Sequence, residues 1–341
     1  MKPNKFKIVE SWYKGSLLLY LLRPLSTLFM VIAKIRRKIL QSQGQKLNFK
    51  VPIIVVGNLT VGGSGKTPLV IWLAKTLKQH GFNPGIVSRG YGGDSKEYPI
   101  YVSAESSADK IGDEPLLISK HAQCPVVVDP KRVRAVQYLL AQYHCDVVIS
   151  DDGLQHYALP RNIEIIVVDG ERRFGNGWCL PAGPLREPVE RLKEADYVVC
   201  NGIGRRNEIS MTLVPIDLIN IKQPSVQYSL QKLEGQKFHA VAGIGNPKRF
   251  FNLLERFGAK IEKRIFADHH LYQVSDLEDL VDKPVIMTEK DAVKCREFAG
   301  ENWWYLPVQA KLPESFADAF VKRLRQVITV KAYLAEGEGN G

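Results

Sequence analysis

Short, continuous Val/Ile runs that alternate with helical patterns predict an α/β fold built on a parallel sheet covered on both faces. A glycine-rich loop ending in Lys-Thr stands at the mouth of the first run, which predicts a phosphate-binding (P-loop NTPase-type) sheet. The pattern changes near residue 205 and a new strand–helix alternation begins near 236, which predicts a second, smaller α/β domain. The chain has 341 residues, 45% hydrophobic and 24% charged, enough for two cores and unlike collagen, coiled coil or bulk disorder.

In order, Pro52–Val56 reads as a buried strand, and Lys66–His80 carries Leu69, Leu73 and Leu77 at helical spacing. Strands follow at Ile86–Ser88, Ile100–Val102 and Val126–Val128, then a helix over Lys131–Gln142 and strands at Val147–Ser150, Ile163–Val168 and Tyr197–Cys200. Thr212–Ile221 and Val226–Leu233 read as two extended stretches of a hinge ribbon, separated by Lys222-Gln223-Pro224. The second unit has strands at Phe238–Ala242, Lys263–Phe266, Val285–Met287 and Trp304–Leu306. Its helices are expected at Pro247–Phe257, Ser275–Val281, Asp291–Phe298 and from Glu314 onward. The resulting organisation is an N-terminal arm (1–45), a P-loop sheet domain (46–208), a two-stranded hinge (209–235), a C-terminal α/β domain (236–335) and a frayed tail (336–341).

The net charge of +11 is uneven. Residues 1–50 hold eleven Lys or Arg and one acid, Glu10, whereas the remaining 291 residues hold 36 basic and 35 acidic side chains. A nearly neutral body with a basic arm argues against nucleic acid as partner. The arm also contains an apolar run of 19 residues, Gly15–Ala33, flanked by Lys14 and by Lys34, Arg36, Arg37 and Lys38. As one helix it would span about 28 Å, close to the hydrocarbon thickness. Arg23-Pro24 at its centre disfavours a span, since a central Arg costs roughly 2.5–3.5 kcal/mol and an interior Pro removes a hydrogen bond. The expectation is a membrane-associated helix in one leaflet, held on anionic lipid by its basic flanks. A true span and a helix buried on the body are the alternatives. The five cysteines, Cys124, Cys145, Cys179, Cys200 and Cys295, contain no Cys-x-x-Cys pair and read as core fillers in a reducing compartment.

The loop Thr60-Val61-Gly62-Gly63-Ser64-Gly65-Lys66-Thr67 follows the first strand. Its backbone N–H groups and the helix N-terminus suit phosphate oxygens, Lys66 suits the β- and γ-phosphates, and the Thr67 hydroxyl suits Mg²⁺. Thr60 stands where the strict pattern has its first glycine. A phosphate loop also needs an acid on a neighbouring strand. Asp151-Asp152 and Asp169 both follow Val/Ile runs; the first pair is favoured because more polar groups follow it, and Asp169 with Gly170 reads as a turn.

Transfer to an alcohol needs a base near the acceptor oxygen and cations on the transferred group. Asp113-Glu114-Pro115 offers a base, although Asp113 also suits a helix N-cap. Asp268-His269-His270 follows a strand and equally suits an ordinary surface loop. Arg89, in a loop rich in glycine, and Arg186-Glu187 are candidate ligand contacts.

Together these segments resemble one family. The succession is Gly-Gly-Ser-Gly-Lys-Thr-Pro (62–68), Ser-Arg-Gly-Tyr-Gly-Gly (88–93), Gly-Asp-Glu-Pro (112–115), Ser-Asp-Asp-Gly-Leu-Gln-His (150–156), Pro-Ala-Gly-Pro-Leu-Arg-Glu (181–187), Gly-Ile-Gly-Asn-Pro (243–247), Asp-His-His (268–270) and Thr-Glu-Lys-Asp-Ala-Val-Lys (288–294). It resembles the tetraacyldisaccharide 4′-kinases, the lipid A 4′-kinases of Gram-negative bacteria. The resemblance implies ATP and Mg²⁺ as cofactors, a tetraacylated glucosamine disaccharide 1-phosphate as substrate, and work at the cytoplasmic face of the inner membrane. It further implies that Asp113 takes the acceptor proton, paired with His269, and that Asp151, Asp152 and Glu114 serve the metal. Arg89, Tyr91, Arg134, His156, Arg186 and Glu187 become substrate or phosphate contacts. No obligate protein partner is evident. The rival reading is a membrane-tethered P-loop GTPase or ATPase switch, for which Thr288-Glu289-Lys290-Asp291 has a guanine reader's residues in the wrong order.

Overall fold

The computed structural model describes residues 5–103 and 105–338, with side chains described between 9 and 333. Three helices open the chain, α1 (Lys5–Lys14), α2 (Leu18–Leu21) and α3 (Arg23–Gly44). They are followed by β1 (Ile53–Gly57), α4 (Lys66–Gln79), β2 (Pro84–Ser88), β3 (Ile100–Tyr101), α5 (Ala108–Ile111), α6 (Asp113–Ala122), β4 (Val126–Val128) and α7 (Arg132–Gln142). Strands β5 (Val147–Ser150), β6 (Ile163–Asp169), β7 (Tyr197–Asn201), β8 (Ile209–Pro215), β9 (Leu218–Asn220), β10 (Gln227–Tyr228) and β11 (Lys237–Ala242) come next. The chain ends with α8 (Pro247–Arg256), β12 (Lys260–Ile265), β13 (Val285–Thr288), α9 (Glu289–Cys295), β14 (Trp303–Leu306), β15 (Val308–Lys311) and α10 (Glu314–Glu338).

Two sheets result. The larger runs β15-β8-β7-β6-β1-β5-β2-β4-β3, and the smaller runs β10-β9-β14-β13-β11-β12. In the larger, β1 lies between β5 and β6 and pairs parallel with both. Every residue of β1, β5 and β6 is buried, as a strand covered on both faces requires. Leu69, Leu73 and Leu77 of α4 pack with Ile54 and Val56 in one core layer. Ala135, Val136 and Leu139 of α7 pack with Ile53 and Val55 on the other face.

The hinge differs from the ribbon expected over 209–235. The strand that pairs with β8 is β15, antiparallel, with Pro215 opposite Val308. The chain therefore crosses between the sheets twice, from β8 to β9 and back from β14 to β15, and Ile216 N–H donates to Pro307 O at 3.1 Å. Gln227-Tyr228 instead edges the smaller sheet beside β9, and 230–233 forms a 3-10 turn. Extended patterning was visible in the sequence, but pairing between segments some ninety residues apart carries no local signal. α10 also returns to the larger sheet, where Phe316, Phe320 and Leu324 enter its core. Of the tail read as 336–341, the helix includes residues up to Glu338, and 339–341 lie outside the described residues.

The apolar run of the arm is broken, not continuous. Gly15 adopts φ +83° after α1, and Pro24 takes the first turn of α3, where its missing N–H costs nothing. Among the described residues, no helix is long and apolar enough to cross a membrane. Ser26 Oγ donates to Cys179 O at 2.7 Å, and Phe29 and Met30 pack against the cluster of Leu59, Leu154 and Leu185, so one side of α3 is docked on the larger domain.

Candidate active site

The phosphate loop leaves β1 at the C-terminal edge of the sheet, where open α/β sheets bind ligands. Gly62 and Gly65 have φ of +93° and +96°, conformations that other residues resist. A Cβ on Gly65 would also lie 2.5 Å from Asn201 Nδ2, the amide that donates to Ser64 O at 3.1 Å. Thr60 bridges to Leu185, and Val61 N–H donates to Pro184 O at 2.9 Å. These two residues, expected among the phosphate contacts, instead brace the loop against the 181–187 segment. Lys66 Nζ is buried in the sheet's mouth, 3.3 Å from Asn58 Oδ1 and 3.5 Å from Asp152 Oδ1.

Asp151 and Asp152 follow β5 directly beside this lysine. Ser88 Oγ donates to Asp151 Oδ2 at 3.1 Å, whereas Asp151 Oδ1 is buried without a hydrogen-bond partner among the described residues. Burial, reinforced by the charges of Glu114 and Asp152, pushes the Asp151 carboxyl up to about 7. Burial pushes Asp152 the same way, but Lys66, Arg186 and Arg132 outweigh it and hold that carboxyl down at about 2. Asp169, the alternative acid, ends β6 with its oxygens engaged by the N–H groups of Glu171 and Arg172 and by the Arg172 side chain. That is a turn residue with its own cation, as its sequence context suggested.

A buried carboxylate oxygen left without a partner, on an acid whose carboxyl is raised by burial and by two neighbouring acids, fits a divalent cation. Thr67, Asp151, Asp152 and Glu114 supply the hard oxygen donors that Mg²⁺ takes. Among the described residues no three His, Cys, Asp or Glu side chains form a complete cage. Mg²⁺ usually keeps several waters and shares its shell with substrate phosphates.

The second cluster joins the two domains. Gly112 occupies the N-cap of α6 with φ +87°, so Asp113 is the first helical residue and not the cap. Its Oδ1 accepts from Glu114 N–H at 2.9 Å and lies 3.2 Å from His269 Nδ1. His269 comes from the loop after β12 and has φ +59°, a left-handed backbone that costs on the order of 1 kcal/mol or more in a non-glycine residue. The Tyr91 ring meets it edge-on at 4.8 Å. His270 turns the other way, onto Asp276 Oδ2 at 2.9 Å. Burial opposes ionisation of Asp113, but the adjacent His269 imidazole and the charges of Lys290 and Lys294 prevail and lower its pKa.

Lys290 and Lys294 received no role from the sequence. α9 packs on α6 and brings Lys290 Nζ to 3.0 Å from Glu114 Oε1, 3.4 Å from His269 Nε2, 3.5 Å from Asp268 Oδ1 and 3.9 Å from Asp113 Oδ2. Lys294 Nζ lies 3.7 Å from Asp113 Oδ2. Their spacing of four residues, which places both on one helical face, was the available signal. Thr288 caps α9, and the fully buried Asp291 accepts from Gly243 N–H at 2.9 Å and from Thr288 Oγ1 at 2.6 Å. Asp291 is thus a structural acid, which removes the resemblance to a guanine reader.

The remaining expected contacts separate. Arg186 Nη1 lies 3.5 Å from Asp152 Oδ2, at the phosphate side. His156 is kept neutral, pushed down to about 3 by burial and by the charges of Arg132 and Arg89. Arg89 and Tyr91 are exposed; Tyr91 stands against His269 of the dyad, whereas Arg89 lies toward Arg132 and His156. Arg134 is instead paired with Asp129 through two hydrogen bonds, and the buried Arg132, two residues earlier, donates to Asp151 O at 3.0 Å. Helical periodicity explains the exchange, since residues two apart face different sides. Glu187 is buried, and its oxygens accept from Tyr157 Oη and from Gln155 Nε2, leaving it in a packing network with Arg191.

The family model described as tetraacyldisaccharide-1-P 4′-kinase matches residues 18–325. The tetraacyldisaccharide 4′-kinase of Nitrosococcus oceani is 48% identical over 95% of this chain and 96% of its own length. That of Tolumonas auensis is 47% identical over 94% and 98%. The crystal structure of Aquifex aeolicus LpxK in complex with ATP superposes with a TM-score of 0.73 at 28% identity, covering 90% of this chain and all of that one.

Proposed function

The chain belongs to the tetraacyldisaccharide-1-P 4′-kinase family, and from that premise we propose how its residues divide the reaction. It is an ATP-dependent phosphotransferase that acts on the 4′-hydroxyl of a tetraacylated glucosamine disaccharide 1-phosphate in lipid A biosynthesis. The tethered-switch alternative is not favoured.

The observation that carries the assignment of roles is the 3.2 Å approach of His269 Nδ1, from the smaller domain, to Asp113 Oδ1, from the larger. Asp113 has a lowered pKa and is ionised at neutral pH, so it can accept the proton of the acceptor hydroxyl. His269, with Nδ1 3.2 Å from one carboxylate oxygen, orients the carboxylate so that its other oxygen faces the acceptor. Lys66 and the backbone N–H groups from Gly62 to Thr67 hold the transferred phosphate, and Arg186 adds charge on the same side. Thr67, Asp151, Asp152 and Glu114 would hold Mg²⁺, whose charge offsets that of the phosphates when it is bound. Arg89, Tyr91 and His156 line the acceptor side. Because the dyad spans two domains, closure assembles it and excludes water from the transferring group.

The arm is the membrane-facing part in this reading. Leu18, Leu21, Leu25, Leu28, Ile32, Ile35 and Ile39 recur every three or four residues and are all exposed, on the side of α2–α3 away from Ser26 and Phe29. With Lys34, Arg36 and Lys38 close by, this stripe suits the anionic surface of the inner membrane at its cytoplasmic face. A kinase assay with ATP, Mg²⁺ and the lipid disaccharide in detergent tests the function. Phosphate is expected on the 4′-oxygen; product phosphorylated elsewhere, or none, would overturn it.

A further inference from the structure

Arg172 lies just beyond β6, in a turn to which the roles above assign nothing. Asp169 holds it: Oδ1 accepts the Arg172 backbone N–H at 3.0 Å, and Oδ2 accepts Nε at 3.2 Å. The two terminal nitrogens then reach different domains. Nη2 donates to the carbonyl of Gly63, in the phosphate loop, at 2.5 Å. Nη1 donates to the carbonyl of Gly245, in the turn before α8 of the smaller domain, at 2.8 Å. The two backbones are in contact there, since a Cβ on Gly245 would lie 2.5 Å from Gly63 N. Asn246 Nδ2 donates to Glu171 Oε2 at 3.4 Å, and Arg249 Nη2 donates to Asn201 O at 3.3 Å, so the same turn is anchored on both sides.

We propose that Arg172 is a positioning residue for phosphoryl transfer, a forked clasp that fastens the smaller domain to the phosphate loop. Three features carry this. All three guanidinium nitrogens are engaged by protein oxygens and its charge is met by Asp169, so the protein itself fixes the place of Arg172. Its planar fork matches two carbonyls at once, which a lysine cannot do. The Gly63 carbonyl belongs to a planar trans peptide, so fixing it fixes the antiparallel N–H of Ser64, a donor of the phosphate cradle. Domain closure that brings His269 to Asp113 therefore also sets the loop. The inference rests on the kinase reading above.

The test uses full-length protein with one spin label in each domain, and compares wild type with Arg172→Ala and Arg172→Lys. Turnover, ATP KM, melting temperature and interdomain distance are measured, the last with a non-hydrolysable ATP analogue and the lipid acceptor in detergent. Both variants are expected to lose at least about 30-fold in kcat, as misplacement of reacting groups does, with little change in ATP KM. Their melting temperatures should stay near wild type while the interdomain distance stays long. Arg172→Lys keeps the ion pair with Asp169 and guards against a folding failure of the alanine variant. Wild-type closure and turnover in Arg172→Ala, or full rescue by Arg172→Lys, would overturn the clasp. An inactive wild type would overturn the kinase reading instead.

Discussion

Asp151 and Asp152 are neighbours in the chain with opposite ionisation: the first carboxyl is raised to about 7 and the second held at about 2. Burial acts on both, and the difference is the company each keeps. Asp152, with a left-handed backbone at φ +45°, turns toward Lys66 and Arg186. Asp151 stays in the strand's line with one oxygen unpartnered, facing the charges of Glu114 and Asp152.

This split gives metal-free protein a definite pH response. Native Asp151 keeps its proton up to about 7, whereas in the unfolded chain it releases it near 3.8. Between those values the native state binds more protons, so its contribution to stability falls as pH rises and is fully lost above about 7. Melting temperatures measured in metal-free buffer should decline across this window, and Asp151→Asn should flatten the decline. Adding Mg²⁺ and ATP should narrow the difference by supplying the missing cation. Equal slopes in wild type and Asp151→Asn would show that Asp151 is not the group responsible.

Lys66→Ala should abolish transfer, by at least about a thousandfold, because it removes the cation aimed at the phosphates. The substitution also strips Asp152 of its foremost charge partner, so the Asp152 carboxyl should titrate at higher pH than in wild type. Carboxylate NMR would read the second effect and rate assays the first. Near-normal turnover would remove Lys66 from the reaction.

Asp113→Ala and His269→Ala should each lower kcat by about 10²–10⁴-fold, the range for loss of a general base, and raise the ATP KM far less. The double variant should lose less than the product of the single losses, because each side chain acts through the other. Multiplicative losses would separate the two residues. Scattering profiles of wild type with and without substrate and a non-hydrolysable ATP analogue should show compaction, and unchanged profiles would count against closure.

How much of this was legible in the sequence varies with the range of the interaction. β1, the phosphate loop and α4 are contiguous, so hydrophobic runs and glycines reveal them directly. The dyad is different: Asp113 and His269 are 156 positions apart, and by pattern alone each suits an ordinary cap or loop. Only the ordered set of motifs linked them. Lys290 showed only its helical spacing with Lys294, while the cross-domain contacts of Arg172 and the β8–β15 pairing left no trace, because those partners lie in distant segments that neither composition nor periodicity records. Arg134 came from the family resemblance, and Arg132, which the structure buries against Asp151, had no signal of its own in the sequence.

The arm offers the last test, and its docked side dictates how to perform it. Deleting residues 1–35 would remove most of the exposed stripe, but also the buried Trp12, whose Nε1 donates to Pro181 O at 3.1 Å, and the buried Ser26. Substituting Leu21, Leu25 and Leu28 with Ser changes only side chains that are more than half exposed. Fully burying a leucine contributes roughly 1.5–3 kcal/mol, so three should cost at least about tenfold in binding to phosphatidylglycerol-containing vesicles. Replacing Lys34, Arg36 and Lys38 with Gln should instead remove the salt dependence, at about 1 kcal/mol per charge near the surface. Arg37 is spared because it pairs with Glu194. Nucleotide binding in solution should be unchanged in both variants. If the triple-serine protein sediments with anionic vesicles as wild type does, the stripe is not the membrane face.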